Sequence, residues 1–131
     1  MFDTVALSEA RKRRPNAGFA AWVQSVAIGQ VHTSVLCLGE VRKGVEGLPP
    51  GEARAAFERW LEMDLPTQLS GRILPVDQPA AHAWGRMSAR RTLPVTDSLI
   101  AATALVHGLT VVTRNTRDFD GLGVPVLNPW T

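Results

Sequence analysis

The chain has 131 residues, 45% of them hydrophobic, enough for one compact domain spanning 1–131 and too few to be comfortably two. Charged residues make up 20%, mean hydropathy is +0.01, and no apolar run approaches the roughly 18 residues of a membrane span. The first residues lack the apolar core of a secretory signal, and one cysteine, Cys37, excludes an internal disulfide and has no partners at zinc spacing, so a soluble cytoplasmic protein without a membrane partner is expected.

Net formal charge is only +2, yet the pI of about 9.3 leans basic and the cations are bunched. Arg11 to Arg14, Arg42 with Lys43, Arg90 with Arg91, and Arg114 with Arg117 form the clusters. Local potential follows charge density, so such bunching suits a polyanionic partner, with solvated surface as the plain alternative for any one cluster.

In chain order, the opening MFDT is followed by a predicted helix over 15–27, with Phe19, Trp22, Val23 and Val26 on one face. Residues 30–35 are rich in β-branched side chains and read as a strand. The next segment reads as a helix with Leu38, Val41 and Val45 inward and Gly47 as its stop. The turn LPPG introduces a second amphipathic helix, EARAAFERWLEM, whose acids look like a solvated face. Residues 72–76 read as a short buried strand, and Asp77 with Pro79 marks the start of a helix carrying Ala80, Ala83, Trp84 and Met87. A further helix over 97–107 ends at Gly108, with Thr96 as its expected cap, and strands over 109–113 and 123–127 complete the pattern. Strands alternating with helices predict an α/β fold, a mostly parallel sheet of about five strands covered by helices on both faces.

In such a sheet, ligands bind beyond the carboxyl ends of the strands. That rule sorts the acids. Asp3 closes the first apolar stub, Glu40 sits on the helix after the second strand, Asp97 opens its helix, and Asn115 and Asp118 follow the strand ending at Thr113. Asp97 alone is explained by the helix dipole, which favours an anion there by roughly 0.3–1 kcal/mol. Four carboxyls on one rim are not so explained: they repel one another unless a cation joins them. Oxygen donors without histidine or thiol in register favour Mg²⁺ or Mn²⁺ over zinc, and such an ion suits attack of water on a phosphodiester.

These segments resemble the PIN-domain endoribonucleases, and within them the VapC-like toxins of toxin–antitoxin pairs. FDTVALSE is similar to that family's Asp-Thr pair at the end of the first strand, and SVLCLGEVRKGVE to its strand end and glutamate-bearing helix. TDSLIAATALVHGLTVVTRN resembles the third-acid helix and fourth strand, and TRDFDGLGVPVLNPW the closing segment. The resemblance implies a three-layer PIN-like domain in which Asp3, Glu40, Asp97 and Asp118 are catalytic and metal-binding. It further implies supporting roles for Thr4, Ser34 and Asn115, and phosphate contacts from Arg42, Lys43, Arg114 and Arg117. A homodimer or larger assembly, a VapB-like antitoxin that carries any contact with operator DNA, and an RNA substrate belong to the same expectation.

Two departures stand out. Only Met1 and Phe2 precede Asp3, so the central strand is expected to be very short, and Val5 occupies the place where the family usually has Asn. They keep open a second class of function, a catalytically impaired binding module acting mainly through its antitoxin. A phosphatase that begins with an Asp at its first strand end needs a second Asp where Val5 stands, which argues against it. His32, His82 and His107 lie apart with no serine or cysteine partner in register, and Trp22, Trp60 and Trp84 read as core, Trp130 as a C-terminal anchor.

Overall fold

A computed structural model describes all 131 residues. Helices α1 (Thr4–Arg11) and α2 (Ala17–Ser25) come first, then β1 (Thr33–Ser34), α3 (Val35–Glu46) and α4 (Glu52–Arg59). A π-helical turn, Trp60–Asp64, runs on into α5 (Leu65–Gln68). The chain continues through β2 (Ile73–Leu74), α6 (Gln78–Ser88), α7 (Val95–Val106), β3 (Val111–Val112), a 3₁₀ turn at Thr116–Phe119 and β4 (Val126–Leu127). The strands expected over 30–35, 72–76, 109–113 and 123–127 are therefore each cut to two paired residues.

Pairing is parallel throughout. β1 pairs with β2 and β3 with β4, and Phe2 alone bridges Thr33 on one side and Val112 on the other. The expected first strand is thus a single central residue, and the sheet reads β2, β1, Phe2, β3, β4. The Phe2 N–H donates to His32 O at 2.7 Å, Asp3 N–H to Val112 O at 3.2 Å, and Val112 N–H to Met1 O at 2.8 Å. The Phe2 carbonyl accepts from the Thr33 hydroxyl at 3.0 Å and from the Cys37 thiol at 3.6 Å. Cys37 is fully buried, as a small filler should be.

Right-handed crossovers assign the layers. The chain steps from Phe2 to β1 to β2 in one direction through α1 to α5, then returns past Phe2 to β3 through α6 and α7, so the two helix groups fall on opposite faces. Within them α1 packs on α3, α3 on α4, and α6 along α7. Ile100, Ala101, Ala102 and Ala104 are at most 1% exposed, and these mostly small side chains let α7 approach its neighbours closely. Phe19 and Trp22 pack on Phe2, each with ring centroids 5.9 Å away.

Local signals account for the helix ends, with two corrections. Asp77 accepts from Ala80 N–H, Asn16 caps α2 and Ser34 caps α3 through Leu36 N–H, while Gly47 closes α3. Helix α1 was not expected: its start is signalled by Asp3, which accepts from Ala6 N–H at 2.8 Å. Thr96 does not cap α7, which begins a residue earlier at Val95 after Pro94 and has no side-chain cap. The proline presets an extended backbone at the boundary and leaves the hydroxyl inside the first turn. Trp130 is an anchor: its indole N–H donates to buried Glu9 at 3.1 Å and its ring lies 4.7 Å from that of Phe19.

Candidate functional site

Of the four selected acids, Asp3 and Asp118 follow the central bridge residue and β3, while Glu40 and Asp97 lie on helices α3 and α7. Asp3 follows Phe2 directly, so the bridge that centres the sheet also fixes this carboxylate; it is 6% exposed. Burial pushes its carboxyl up from the usual range, the Thr113 hydroxyl and the Ala6 N–H pull it back, and the charge of Glu40 raises it again. Glu40 is the sixth residue of α3, exposed, and takes a hydrogen bond from the Thr4 hydroxyl.

Asp97 lies in the first turn of α7, where backbone N–H groups are free of intrahelical partners. Its carboxyl is also pushed up, by burial first and then by the charges of Asp118, Glu40 and Asp3. Asp118 sits in the 3₁₀ turn after β3, its N–H bonded to Asn115 O at 3.1 Å. Segments far apart in sequence are therefore close enough for their charges to be felt at one place. No group of three or more His, Cys, Asp or Glu side chains stands at metal-holding spacing in this structure.

The supporting side chains fall around this rim. Thr4 steadies Glu40, whereas the Ser34 hydroxyl is spent on capping α3 beside it. Asn115 donates its backbone N–H to the Thr113 hydroxyl at 2.9 Å and leaves its side chain exposed. Thr113 was not singled out from the sequence, although it is fully buried and links Asn115 to Asp3. Its signal was the hydroxyl placed where an otherwise apolar strand ends. Val5, in the place of the usual Asn, is 38% exposed beside Thr4.

The basic residues divide. Arg42 gives its charge to Glu62 and lies 3.7 Å from Glu46, so its guanidinium is already engaged. Lys43, Arg114 and Arg117 are exposed. Arg114 borders a cleft of about 220 Å³ with Thr4, Val5, Ser8, Lys12 and Trp130, next to the acid rim. Arg11 stacks on Phe57 at 3.8 Å to the ring centroid, and Lys12 pairs with Glu9 at 2.7 Å, which makes these two structural cations.

The donor set fits a hard divalent ion. It is all oxygen, and burial followed by the charges of neighbouring carboxylates raises the proton affinity of Asp3 and Asp97, a penalty that a dication beside them would remove.

A parallel sheet with a carboxylate rim at its strand ends defines the class, a PIN-type α/β domain. The PIN-domain family model matches residues 1–124, and the chain belongs to that family. It is 33% identical over 135 aligned positions to the VapC ribonuclease Y4jK of Sinorhizobium fredii, covering 99% of this chain and 96% of that one. The toxin FitB of Neisseria gonorrhoeae is 34% identical, with 99% of this chain and 97% of that protein covered. A solved structure of FitAB bound to an IR36 DNA fragment superposes with a TM-score of 0.89 at 32% identity, over 99% of this chain and 94% of that one. No helix is long and apolar enough to cross a membrane.

Proposed function

We propose that this chain is the ribonuclease toxin of a toxin–antitoxin pair, hydrolysing RNA phosphodiester bonds with a divalent metal ion, Mg²⁺ or Mn²⁺. The observation that carries the reading is the placement of Asp3 directly after the central bridge residue, of Glu40 on α3, of Asp97 in the first turn of α7 and of Asp118 in the turn after β3, near enough that burial and then the charges of Asp118, Glu40 and Asp3 push the Asp97 carboxyl up. The names of the Sinorhizobium and Neisseria relatives, a ribonuclease and a toxin, support it.

In this reading Asp3, Glu40, Asp97 and Asp118 hold the metal. When bound, the ion supplies a Lewis acid that makes water a better nucleophile and offsets charge on the phosphate. The chain's own groups set the stage. Thr4 orients Glu40, Thr113 and the first turn of α1 fix Asp3, and Ser34 anchors the start of the helix that carries Glu40. Lys43, Arg114 and Arg117 present exposed cations to the flanking phosphates, and Asn115 faces solvent beside them. Arg42 adds to the field, but its fork is taken by Glu62.

The same reading includes a VapB-like antitoxin and a homodimer, and assigns any contact with operator DNA to the antitoxin. A cationic side chain from the antitoxin would suit the acid rim electrostatically, because it supplies the counter-charge that the metal otherwise brings. Val35 and Val95, at the starts of α3 and α7, are 41% and 60% exposed and offer a second copy apolar surface near the rim.

The test is cleavage of structured RNA with and without Mg²⁺ by the full chain and by Asp97→Asn. The wild type should cut only with the metal, and the variant should not cut. If the wild type cuts no RNA under any divalent condition, the protein is a binding module and this proposal is wrong.

A further inference from the structure

The Arg90-Arg91 cluster has no role in the site described above. Its Arg90, together with Arg86, walls a cleft of about 270 Å³ between α6, the C-terminal half of α7 and the loop after Asp120, with Arg91 behind that loop. Arg86 and Arg90 line the cleft directly and are exposed. Arg91 is fixed behind it: its guanidinium donates to Asp120 O at 2.7 Å and lies so near Gly121 that a Cβ there would meet it at 3.3 Å. Gly121, at φ +73°, and Gly123, at φ +78°, give that wall only backbone on either side of Leu122.

None of these three guanidiniums has a carboxylate within ion-pair distance, unlike Lys12, Arg42 and Arg54. The negative end of α6 accounts for one cation in its last turn, Arg86, but not for two more gathered around the same hollow. Two uncompensated charges in the cleft, with a third behind its wall, favour an anion with several acceptor oxygens, and planar guanidinium forks match phosphate. The hollow is not purely polar, because Met87, Leu105 and Leu122 also line it. Cationic walls over an apolar floor suit a nucleotide, with phosphate on arginine and sugar or base on the aliphatic surface.

Position decides which nucleic acid would reach it. The wall residues Gly121 to Gly123 follow directly on the turn that carries Asp118. Leu105 stands eight residues along α7 from Asp97, about 12 Å at the helical rise. A strand that crosses the acid rim and runs on along α7 would reach the cleft with phosphates remote from the bond at the rim.

We propose that the cleft lined by Arg86 and Arg90 is a second phosphate-holding site, which grips the RNA backbone away from the scissile bond. It rests on the reading of the protein as an RNA-cleaving enzyme, but its test does not require cleavage. Binding of a fluorescein-labelled single-stranded RNA to the full chain is followed by anisotropy in EDTA across a salt series. For the double variant Arg86→Ala/Arg90→Ala the slope of log K against log salt should be shallower by about 1.4, because each phosphate that a cation neutralises on a single strand adds about 0.7 to it. The double lysine variant should keep the wild-type slope. Both positions are exposed, and an unchanged melting temperature verifies the fold.

An unchanged slope in the alanine variant overturns the proposal, whether or not the protein cleaves RNA. So does an alanine variant that binds RNA normally but no longer binds an acidic antitoxin segment, since the cleft is then a protein-docking site. If instead the slope falls while the wild type cuts no RNA with any divalent ion, the cleft stands and the nuclease reading fails.

Discussion

Replacing Phe2 by alanine probes the least usual feature of the fold, a sheet whose centre is one residue wide. Phe2 is 3% exposed, and its ring packs against Phe19 and Trp22. Truncating a buried phenylalanine costs about 3–5 kcal/mol, and aromatic pairs add about 0.5–1.5 kcal/mol each within or beyond that range. Against a typical total of about 5–15 kcal/mol, the loss should take away a large part of the stability. The backbone bonds to His32, Val112 and Thr33 survive the substitution, so the fold should weaken rather than rearrange. In urea, followed by far-UV circular dichroism, the midpoint should fall with the slope little changed; at about 1.5 kcal/mol per molar, a loss of about 3 kcal/mol moves it by about 2 M. Phe2→Leu, which keeps most of the volume, should lose much less. A Phe2→Ala loss below about 1 kcal/mol would refute the claim that this residue pins the sheet and thereby positions Asp3.

Three other expectations follow from the rim and the termini. Both Asp97 and Asp3 have carboxyls pushed up by folding, so each favours the folded state when protonated, and that advantage is lost as pH rises above the ordinary value of 3.8. In EDTA, Asp97→Asn should therefore be more stable than wild type at pH 7, with the gap closing as pH falls below that value; thermal melts across pH check it, and a variant less stable at pH 7 contradicts it. Mg²⁺ at about 100 times its Kd should stabilise the wild type by about 2.7 kcal/mol and Asp97→Asn by clearly less, read as a shift in melting temperature. Trp130→Phe should cost about 1–3 kcal/mol, because it leaves the buried Glu9 carboxylate with Lys12 but without its indole donor. Equal stability of the two proteins in denaturant titration would remove the anchor role of Trp130.

Much of the fold was legible from the chain because its signals are local. Asp77 and Pro79 announce a helix start wherever they fold, and the apolar runs around Val111 and Val126 announce strands, of which only the first is fully buried. Sorting the acids needed one topological rule, that loops after parallel strands share an edge. Helix α1 escaped notice because TVALSEAR has a weak apolar stripe and its cap, Asp3, had already been assigned to the rim. One carboxylate does both jobs, which a reading by single roles does not anticipate. Strand lengths were overestimated because β-branched residues flanking each strand fit extended loops and turns equally well, as Val31, extended but outside β1, illustrates. Thr113 and the Arg86 cleft depend on contacts between distant segments, which no local pattern encodes.

The account turns on whether the acids share a cation. Diffraction from a crystal of the full chain soaked in Mn²⁺, recorded for anomalous signal, addresses that directly. The expected peak lies among the carboxyl oxygens of Asp3, Glu40, Asp97 and Asp118, and disappears in Asp97→Asn. A peak elsewhere, or a bare rim at saturating Mn²⁺, would contradict a metal-dependent site at these residues.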